Sequence, residues 1–205
     1  MYSSTITFKI IHSQFKYMHI QEMNSEFREK LRKSGLFKEM KSLESCDFFA
    51  IEEEGSLVVG VAGLGGLFHV SAIQITEKWR GKGLGKKLQG ELISEAKKRN
   101  YSFLTVYNDP RNIASEKMHN SLGYKTIFRI HYSRDIVNNV KILVFTKRAI
   151  LVKQFLKIFN SKIGMLILGI LLKFTRKIYP KIILYNEENI PEPSISNMIK
   201  KFEKI

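Results

Sequence analysis

Apolar and polar residues alternate in short stretches along the first two thirds of the chain, and helical periodicity separates these stretches. Strands are predicted where β-branched and aromatic residues cluster, at residues 5–11, 47–53, 57–64, 69–76 and 101–107. Two more strands are expected within residues 124–148, around a turn at residues 137–140. Helices are predicted within residues 14–45, as two short segments broken near Gly35, and at residues 84–98 and 112–121. This order predicts a mixed α/β domain.

The helix at residues 84–98 has the clearest pattern. Leu84, Leu88, Leu92 and Ala96 recur every four residues, and lysines and glutamates lie outside that stripe. Such a helix packs one side against a sheet. The following helix can be capped by Asn112 and should end before Gly123.

The character of the chain changes at residue 149. We therefore predict one domain over residues 1–148 and a helical, basic and apolar extension over residues 149–205. The ten uncharged residues 163–172 are too few to cross a bilayer, which takes about twenty. Lysines oppose apolar residues from 150 to 162, so residues 149–185 suit docking on the first domain, a homodimer contact, or peripheral contact with an anionic membrane.

The formal net charge of +15 indicates an anionic partner, which could be nucleic acid, a membrane surface or a phosphorylated ligand. The charge is spread along the chain without a dense basic block, a nucleic-acid motif or an aromatic platform, so nucleic acid is not expected. Cys46 is the only cysteine, which excludes an intrachain disulfide. Together with an N-terminal stretch unlike a signal peptide, this favours a cytoplasmic protein that is free or membrane-associated.

Candidate chemistry is concentrated in the stretch WRGKGLGKKL, residues 79–88. The spacing of its glycines matches neither the P-loop nor the dinucleotide-binding pattern. What remains is Arg80-x-x-Gly83-x-Gly85 between a strand and a helix. Backbone N–H groups at a helix N-terminus, surrounded by basic side chains, suit a pyrophosphate. The alternative is a glycine-rich turn whose lysines are merely solvated.

This stretch resembles the acyl-CoA signature of the GNAT superfamily of N-acyltransferases, Gln/Arg-x-x-Gly-x-Gly/Ala. Residues 112–124, NIASEKMHNSLGY, resemble the second conserved block of that family, and the predicted elements between the two motifs agree. The resemblance covers about residues 5–148. It implies a central mixed, mostly antiparallel sheet flanked by helices, with acetyl-CoA as cosubstrate and no metal.

The resemblance also implies which residues bind the coenzyme. Backbone amides of the glycine turn should hold the pyrophosphate, while the preceding strand and the second block line the pantetheine arm. The residues concerned are Ile73, Gln74, Ile75, Arg80, Gly81, Lys82, Gly83, Leu84, Gly85, Lys86, Asn112 and Ser115. Asn112 can serve equally as a helix N-cap.

The catalytic residues are harder to assign. Many relatives carry a tyrosine as general acid where this chain has His119, whose imidazolium could donate a proton; the alternative is a partly buried helix residue. No carboxylate lies on the strand before the glycine turn, so His69 is the candidate base beside a water relay. Tyr124 suits the core better than an acid role.

The resemblance implies an N-acetyltransferase that moves an acetyl group from acetyl-CoA to a primary amine by direct attack in a ternary complex. A small molecule or aminosugar is the favoured acceptor. The alternative from another functional class is a non-catalytic acyl-CoA-binding module, which its basic extension directs to a membrane or a protein partner.

Overall fold

A computed structural model of the protein describes residues 16–36, 43, 46–65, 69–131, 136–178 and 205. Seven strands form one sheet in the order β1-β2-β3-β4-β5-β7-β6. The strands are β1 Lys16–Gln21, β2 Phe48–Glu54, β3 Leu57–Gly65, β4 Val70–Ile75, β5 Phe103–Asn108, β6 Lys125–His131 and β7 Val137–Val144. The helices are α1 Ser25–Lys33, α2 Leu84–Lys98, α3 Ile113–Ser121, α4 Lys147–Lys157 and α5 Lys162–Ile178.

Neighbouring strands are antiparallel except for β4 and β5, which run parallel. The predicted mixed, mostly antiparallel sheet flanked by helices is therefore confirmed. The predicted strand at residues 5–11 lies outside the described residues.

The two faces of the sheet carry different helices. On one face, the predicted apolar stripe of α2 is buried against the strands, and Leu88, Leu92 and Ala96 are fully enclosed. On the other face, Phe27 and Leu31 of α1 pack against alternate residues of β2 and against two residues of β3 that a β-bulge spaces three positions apart, Val58 and Val61. The period-two alternation along β2 explains this division, because successive side chains point to opposite faces.

Helices α4 and α5 cover the sheet at β6 and β7. Leu156, Phe159 and Met165 pack against apolar residues of those two strands. The helices approach closely at Gly164, where a Cβ would collide with the backbone of Ile158 and Phe159. The extension thus shares a core with the sheet from its first helix onward, and the boundary at residue 148 stays a prediction.

Two predictions were wrong. Residues 16–21 form a strand instead of part of a helix, because Met18 and Ile20 alternate into the core while His19 is exposed. The expected turn at residues 137–140 is the beginning of β7. There Asn139 pairs with Arg129 in the sheet, and its side chain is buried and hydrogen-bonded. The consecutive residues Asn138 and Asn139 are therefore part of a strand, although their residue type favours a turn.

Candidate functional site

The glycine turn joins β4 to α2 through a short 3₁₀ segment, Glu77–Trp79. Gly81 and Gly83 have φ of +75° and +79°, in the left-handed region that favours glycine. Gly83 is also the N-cap of α2, where no side chain satisfies the helix N–H groups. Because the first N–H groups of a helix have no partner within it, the turn presents several backbone donors. Nothing lies within 4 Å of the Cβ position at Gly81 or Gly83, so a ligand could approach the main chain closely.

Basic side chains surround these donors. Arg80 is exposed, and its Nε donates to the Ile75 carbonyl oxygen at 3.2 Å, which fixes the turn to the end of β4. Lys82 is exposed and its Nζ lies 4.5 Å from the centroid of the Trp79 ring. Lys86 is exposed in the first turn of α2. Together with the helix dipole, these cations favour an anionic group at the turn.

Lys87 interacts with a carboxylate that the sequence analysis did not single out. Its Nζ donates to both carboxylate oxygens of Glu52, at 3.3 and 3.2 Å. Glu52 lies on β2 and is fully buried, so the contact holds the first turn of α2 to the sheet. Glu52 is the first of three consecutive glutamates after an apolar stretch, so nothing in the sequence marks it as the buried one.

The candidate coenzyme groove follows the junction of β4 and β5. The two strands pair at Val70 and Thr105, near the beginning of β4, whereas β4 is paired with β3 along its whole length. No further pairing of β4 with β5 follows Val70 along the described strands, so we call the carboxyl end of β4 its separated end. The predicted residues Ile73, Gln74 and Ile75 lie at that separated end, next to the glycine turn.

The floor of this end of the groove is tightly packed. A Cβ on Gly85 would lie 3.1 Å from Ile75 Cδ1 and 3.3 Å from Met118 Sδ. Gly85 therefore lies where α2, β4 and α3 meet, and a larger residue there would have to displace the ends of the Ile75 and Met118 side chains. The predicted pyrophosphate and pantetheine segments meet at this point.

Asn112 and Ser115 begin α3. The Asn112 side chain accepts a hydrogen bond from the Ser115 backbone N–H at 3.1 Å, so its expected role as an N-cap is confirmed. Both residues lie at the start of α3, just after β5 ends. Their predicted contact with the pantetheine arm stays a prediction.

His119 lies one turn further along α3 and is only 5% exposed. Its Nδ1 lies 3.2 Å from Ser115 Oγ, and its ring meets Tyr124 edge-on at 5.4 Å. Burial, and secondly the positive charge of Lys141, lower the pKa of His119 to about 4. The imidazolium that was expected to act as an acid is therefore scarce at neutral pH, which argues against that form of the hypothesis.

His69 is far from the glycine turn. It precedes β4, and its ring packs against Tyr101 and Phe103 at 4.5 and 5.1 Å. Six residues of strand, about 20 Å, separate it from Ile75 at the separated end of β4. Burial lowers the pKa of this imidazole. Its placement at the paired end of β4 argues against the predicted role as a base.

Tyr124 belongs to the core, as expected. It is fully buried, and its hydroxyl accepts a hydrogen bond from Gln89 Nε2 at 2.7 Å. Gln89 Nε2 also donates to Ser71 Oγ at 3.1 Å, which connects α2 to β4. Burial raises the pKa of the Tyr124 hydroxyl far above neutrality, so it stays protonated.

A buried polar cluster beside His119 was missed by the sequence analysis. Lys141 on β7 is fully buried and forms an ion pair with Glu116 of α3, and its Nζ also donates to Asn120 Oδ1 at 2.7 Å. Asn108 and Asn139 donate to Glu116 Oε1 at 3.0 and 2.7 Å. Burial acts to raise the pKa of Glu116, but hydrogen bonds from Lys141, Asn139 and Asn108 outweigh it, and the pKa is lowered.

This cluster lies at the carboxyl end of β5, because Asn108 is the last residue of that strand. Asn108 Oδ1 is buried without a hydrogen-bond partner among the described residues. The only sign of this cluster in the sequence was the presence of a lysine and two asparagines, Lys141, Asn108 and Asn139, in otherwise mostly apolar strand segments. The described residues contain no group of three or more His, Cys, Asp or Glu side chains suited to a metal ion.

Comparison with known proteins agrees with this geometry. The family model for the acetyltransferase (GNAT) domain matches residues 14–140, which is more than half of the chain. A search of curated proteins finds no match.

Solved structures show the same fold. Salmonella typhimurium yncA, determined with its cofactor acetyl-CoA, has a TM-score of 0.52 and 18% identity, over 64% of this chain and 96% of its own. An N-acetyltransferase from Staphylococcus aureus Mu50 has a TM-score of 0.50 and 20% identity, over 63% and 99%. The ribosomal-protein-S18-alanine N-acetyltransferase of Escherichia coli has a TM-score of 0.51 and 15% identity, over 63% and 95%. With the glycine turn at the separated end of β4 and a family match over most of the sheet, the chain belongs to the GNAT acetyltransferase family.

Proposed function

We propose that the protein transfers an acetyl group from acetyl-CoA to the primary amine of a small molecule or aminosugar, by direct attack in a ternary complex. The observation that carries this proposal is the glycine turn, where two left-handed glycines precede the uncapped N-terminus of α2. Membership of an acetyltransferase family makes acetyl-CoA the expected donor. Bound acetyl-CoA would supply a thioester carbonyl that an amine can attack.

The residues of the turn fit the pyrophosphate of the coenzyme. Backbone N–H groups over residues 81–85, with Lys86 beyond them, would donate to its oxygens. The Arg80 N–H already donates to the Glu77 carbonyl oxygen, so Arg80 would contribute with Lys82 through side-chain charge. Lys87 would contribute less, because it is already bonded to Glu52. These assignments rest on exposure, open space above the glycines and the direction of the helix dipole.

The separated strands fit the pantetheine arm and the acyl group. Backbone groups of residues 73–75 would bind the arm from one side, and the start of α3 with Asn112 and Ser115 would enclose it from the other. A backbone N–H beside the thioester carbonyl would stabilise negative charge on its oxygen during attack.

We assign proton transfer to fewer side chains of this protein than expected. The lowered pKa of His119 leaves a neutral imidazole, which cannot act as an imidazolium acid near pH 7. Glu116 is held by Lys141 and two asparagines, so its carboxylate is stabilised in the charged form and is a weak base. We therefore propose that the amine loses its proton to water, and that the thiolate of coenzyme A leaves without an imidazolium partner.

The test is release of free thiol from acetyl-CoA in the presence of aminosugars, polyamines, antibiotics and peptides with free amines. The matched variants are Gly83→Ala and Gly90→Ala, since both glycines have open space at the Cβ position but only Gly83 has a positive φ. Losing one charge-assisted hydrogen bond at the turn costs about 1.5–3 kcal/mol, or about 10- to 150-fold in acetyl-CoA affinity. Gly90→Ala should bind as the wild type does.

Acceptor-dependent thiol release that falls with Gly83→Ala and not with Gly90→Ala would support the enzyme. Acetyl-CoA binding without turnover on any amine would favour the non-catalytic binding module. Equal binding by both variants would show that the glycine turn is not the pyrophosphate site.

A further inference from the structure

Helix α5 exposes an apolar stripe. Ile163 and Phe174 at its two ends are 74% and 64% exposed. Exposed apolar residues occur between them at three- and four-residue intervals: Leu166, Ile167, Ile170 and Leu171. A helix with one apolar side normally turns that side to the core. Here the stripe lies outside instead.

Helix α4 adds to this surface, which we call the outer face. Its exposed apolar residues are Ile150, Leu151 and Phe155, and Ile158 at its C-cap is exposed as well. The opposite side of the helix pair already packs against β6 and β7 through Leu156, Phe159 and Met165. The outer face is therefore a second set of exposed apolar residues on helices that are already docked, and clustered apolar exposure of this kind marks an interaction site.

The charged residues in the segment that carries the outer face are all basic. Residues 147–178 contain eight lysines and arginines and no aspartate or glutamate. Lys162 and Lys173 are exposed, and their eleven-residue separation of about three helical turns places them along one edge of the α5 stripe. An apolar stripe bordered by cations matches the acyl region and the anionic headgroups of a lipid surface.

A second copy of the chain matches this face less well. A twofold contact brings the same surface of each copy together. The cationic borders of the two copies would then face each other, with no acidic residue in the segment to neutralise them.

The shape of the helix pair also bears on how lipid would be contacted. No helix in the described part of the chain is by itself long and apolar enough to cross a bilayer; α4 and the first part of α5 reach that length and composition only together, with a bend of 103° between them. We propose that the outer face of α4 and α5 lies on the surface of an anionic lipid bilayer and makes the protein a peripheral membrane protein.

The experiment is co-sedimentation of the full-length protein with vesicles of phosphatidylcholine containing phosphatidylglycerol, compared with phosphatidylcholine alone. The variant Ile170→Glu/Phe174→Glu adds two charges to the stripe, and Leu57→Glu is the matched control, an exposed apolar residue in the β2–β3 hairpin. Circular dichroism melts verify that all variants fold. We expect the wild type and Leu57→Glu to bind the anionic vesicles, and the double variant to bind at least tenfold more weakly.

A second variant, Lys162→Glu/Lys173→Glu, tests the charge separately, because it leaves the apolar stripe intact. Binding should weaken with this variant and with added salt. Three results would overturn the proposal: no binding to anionic vesicles, binding that resists alkaline carbonate as an integral protein does, or a dimer that Ile170→Glu/Phe174→Glu dissociates in the absence of lipid binding. None of these readouts depends on acetyl transfer, so the two proposals fail separately.

Discussion

The buried ion pair between Lys141 and Glu116 makes a sharp prediction for Lys141→Met, which keeps the length of the side chain and removes its charge. Removing one partner of a buried pair costs about 3–5 kcal/mol. The Glu116 side chain keeps 19% exposure and its hydrogen bonds from Asn108 and Asn139, so we expect the lower end of that range, about 3 kcal/mol. For a chain of this size the melting temperature should fall by about 6–12 °C.

The assay is thermal and urea unfolding near pH 7, with two companion variants. Lys125→Met makes the same change at an exposed lysine on β6 and should alter the free energy of unfolding by less than about 0.5 kcal/mol. Lys141→Met/Glu116→Gln removes both charges and should recover at least about 1 kcal/mol of the loss, since no uncompensated carboxylate is left. The reasoning is refuted if Lys141→Met is as mild as Lys125→Met, or if the double variant is less stable than the single one.

Three further predictions concern burial. The pKa of His119 is about 4 in the folded protein, against an ordinary value of 6.5, so the unfolded chain binds a proton at higher pH than the folded protein does. The free energy of unfolding should therefore decrease as the pH falls from about 6.5 to about 4, and a His119→Gln variant with the same pH dependence in urea unfolding would contradict this. A Cβ on Gly63 would lie 2.6 Å from Cys46 Sγ and 2.9 Å from Phe49, so Gly63→Ala should destabilise the protein by about 1–3 kcal/mol in the same assay, unlike Gly90→Ala. Burial raises the pKa of the Cys46 thiol to about 12, so the folded protein should resist a thiol reagent that labels it fully in urea, and equal labelling rates would disprove the burial.

Local patterns in the sequence were sufficient to predict α2, which packs one side against the sheet. The apolar stripe of α2 and the bounds of the helix were predicted correctly, because the spacing of four apolar residues is enough to indicate a helix with one buried side. The glycine turn was recognisable for a similar reason, since left-handed backbone at Gly83 requires a particular residue at a particular place. Neither feature depends on distant parts of the chain.

The features that sequence reasoning missed depend on contacts between residues that are far apart in the chain. Asn139 favours a turn by itself, but in β7 it bonds Arg129 and Glu116, which are 10 and 23 residues away. Lys141 gives no sign in the sequence of a carboxylate opposite it on α3. Nothing in the sequence around His119 indicates the burial and the nearby Lys141 ammonium that lower its pKa.

The pairing of β4 with β5 at one place has a consequence for the order of folding. The segment from β1 to α2 contains four strands paired with their neighbours in sequence and two helices that pack on them, so it can assemble from near contacts. The strands β5, β6 and β7 form a second unit, which joins the first through a parallel contact and the packing of α3. A groove at this junction exists only after both units have formed and met. We therefore expect the candidate site to form only when the two units join, and a chain truncated before β7 to carry the glycine turn without a complete groove.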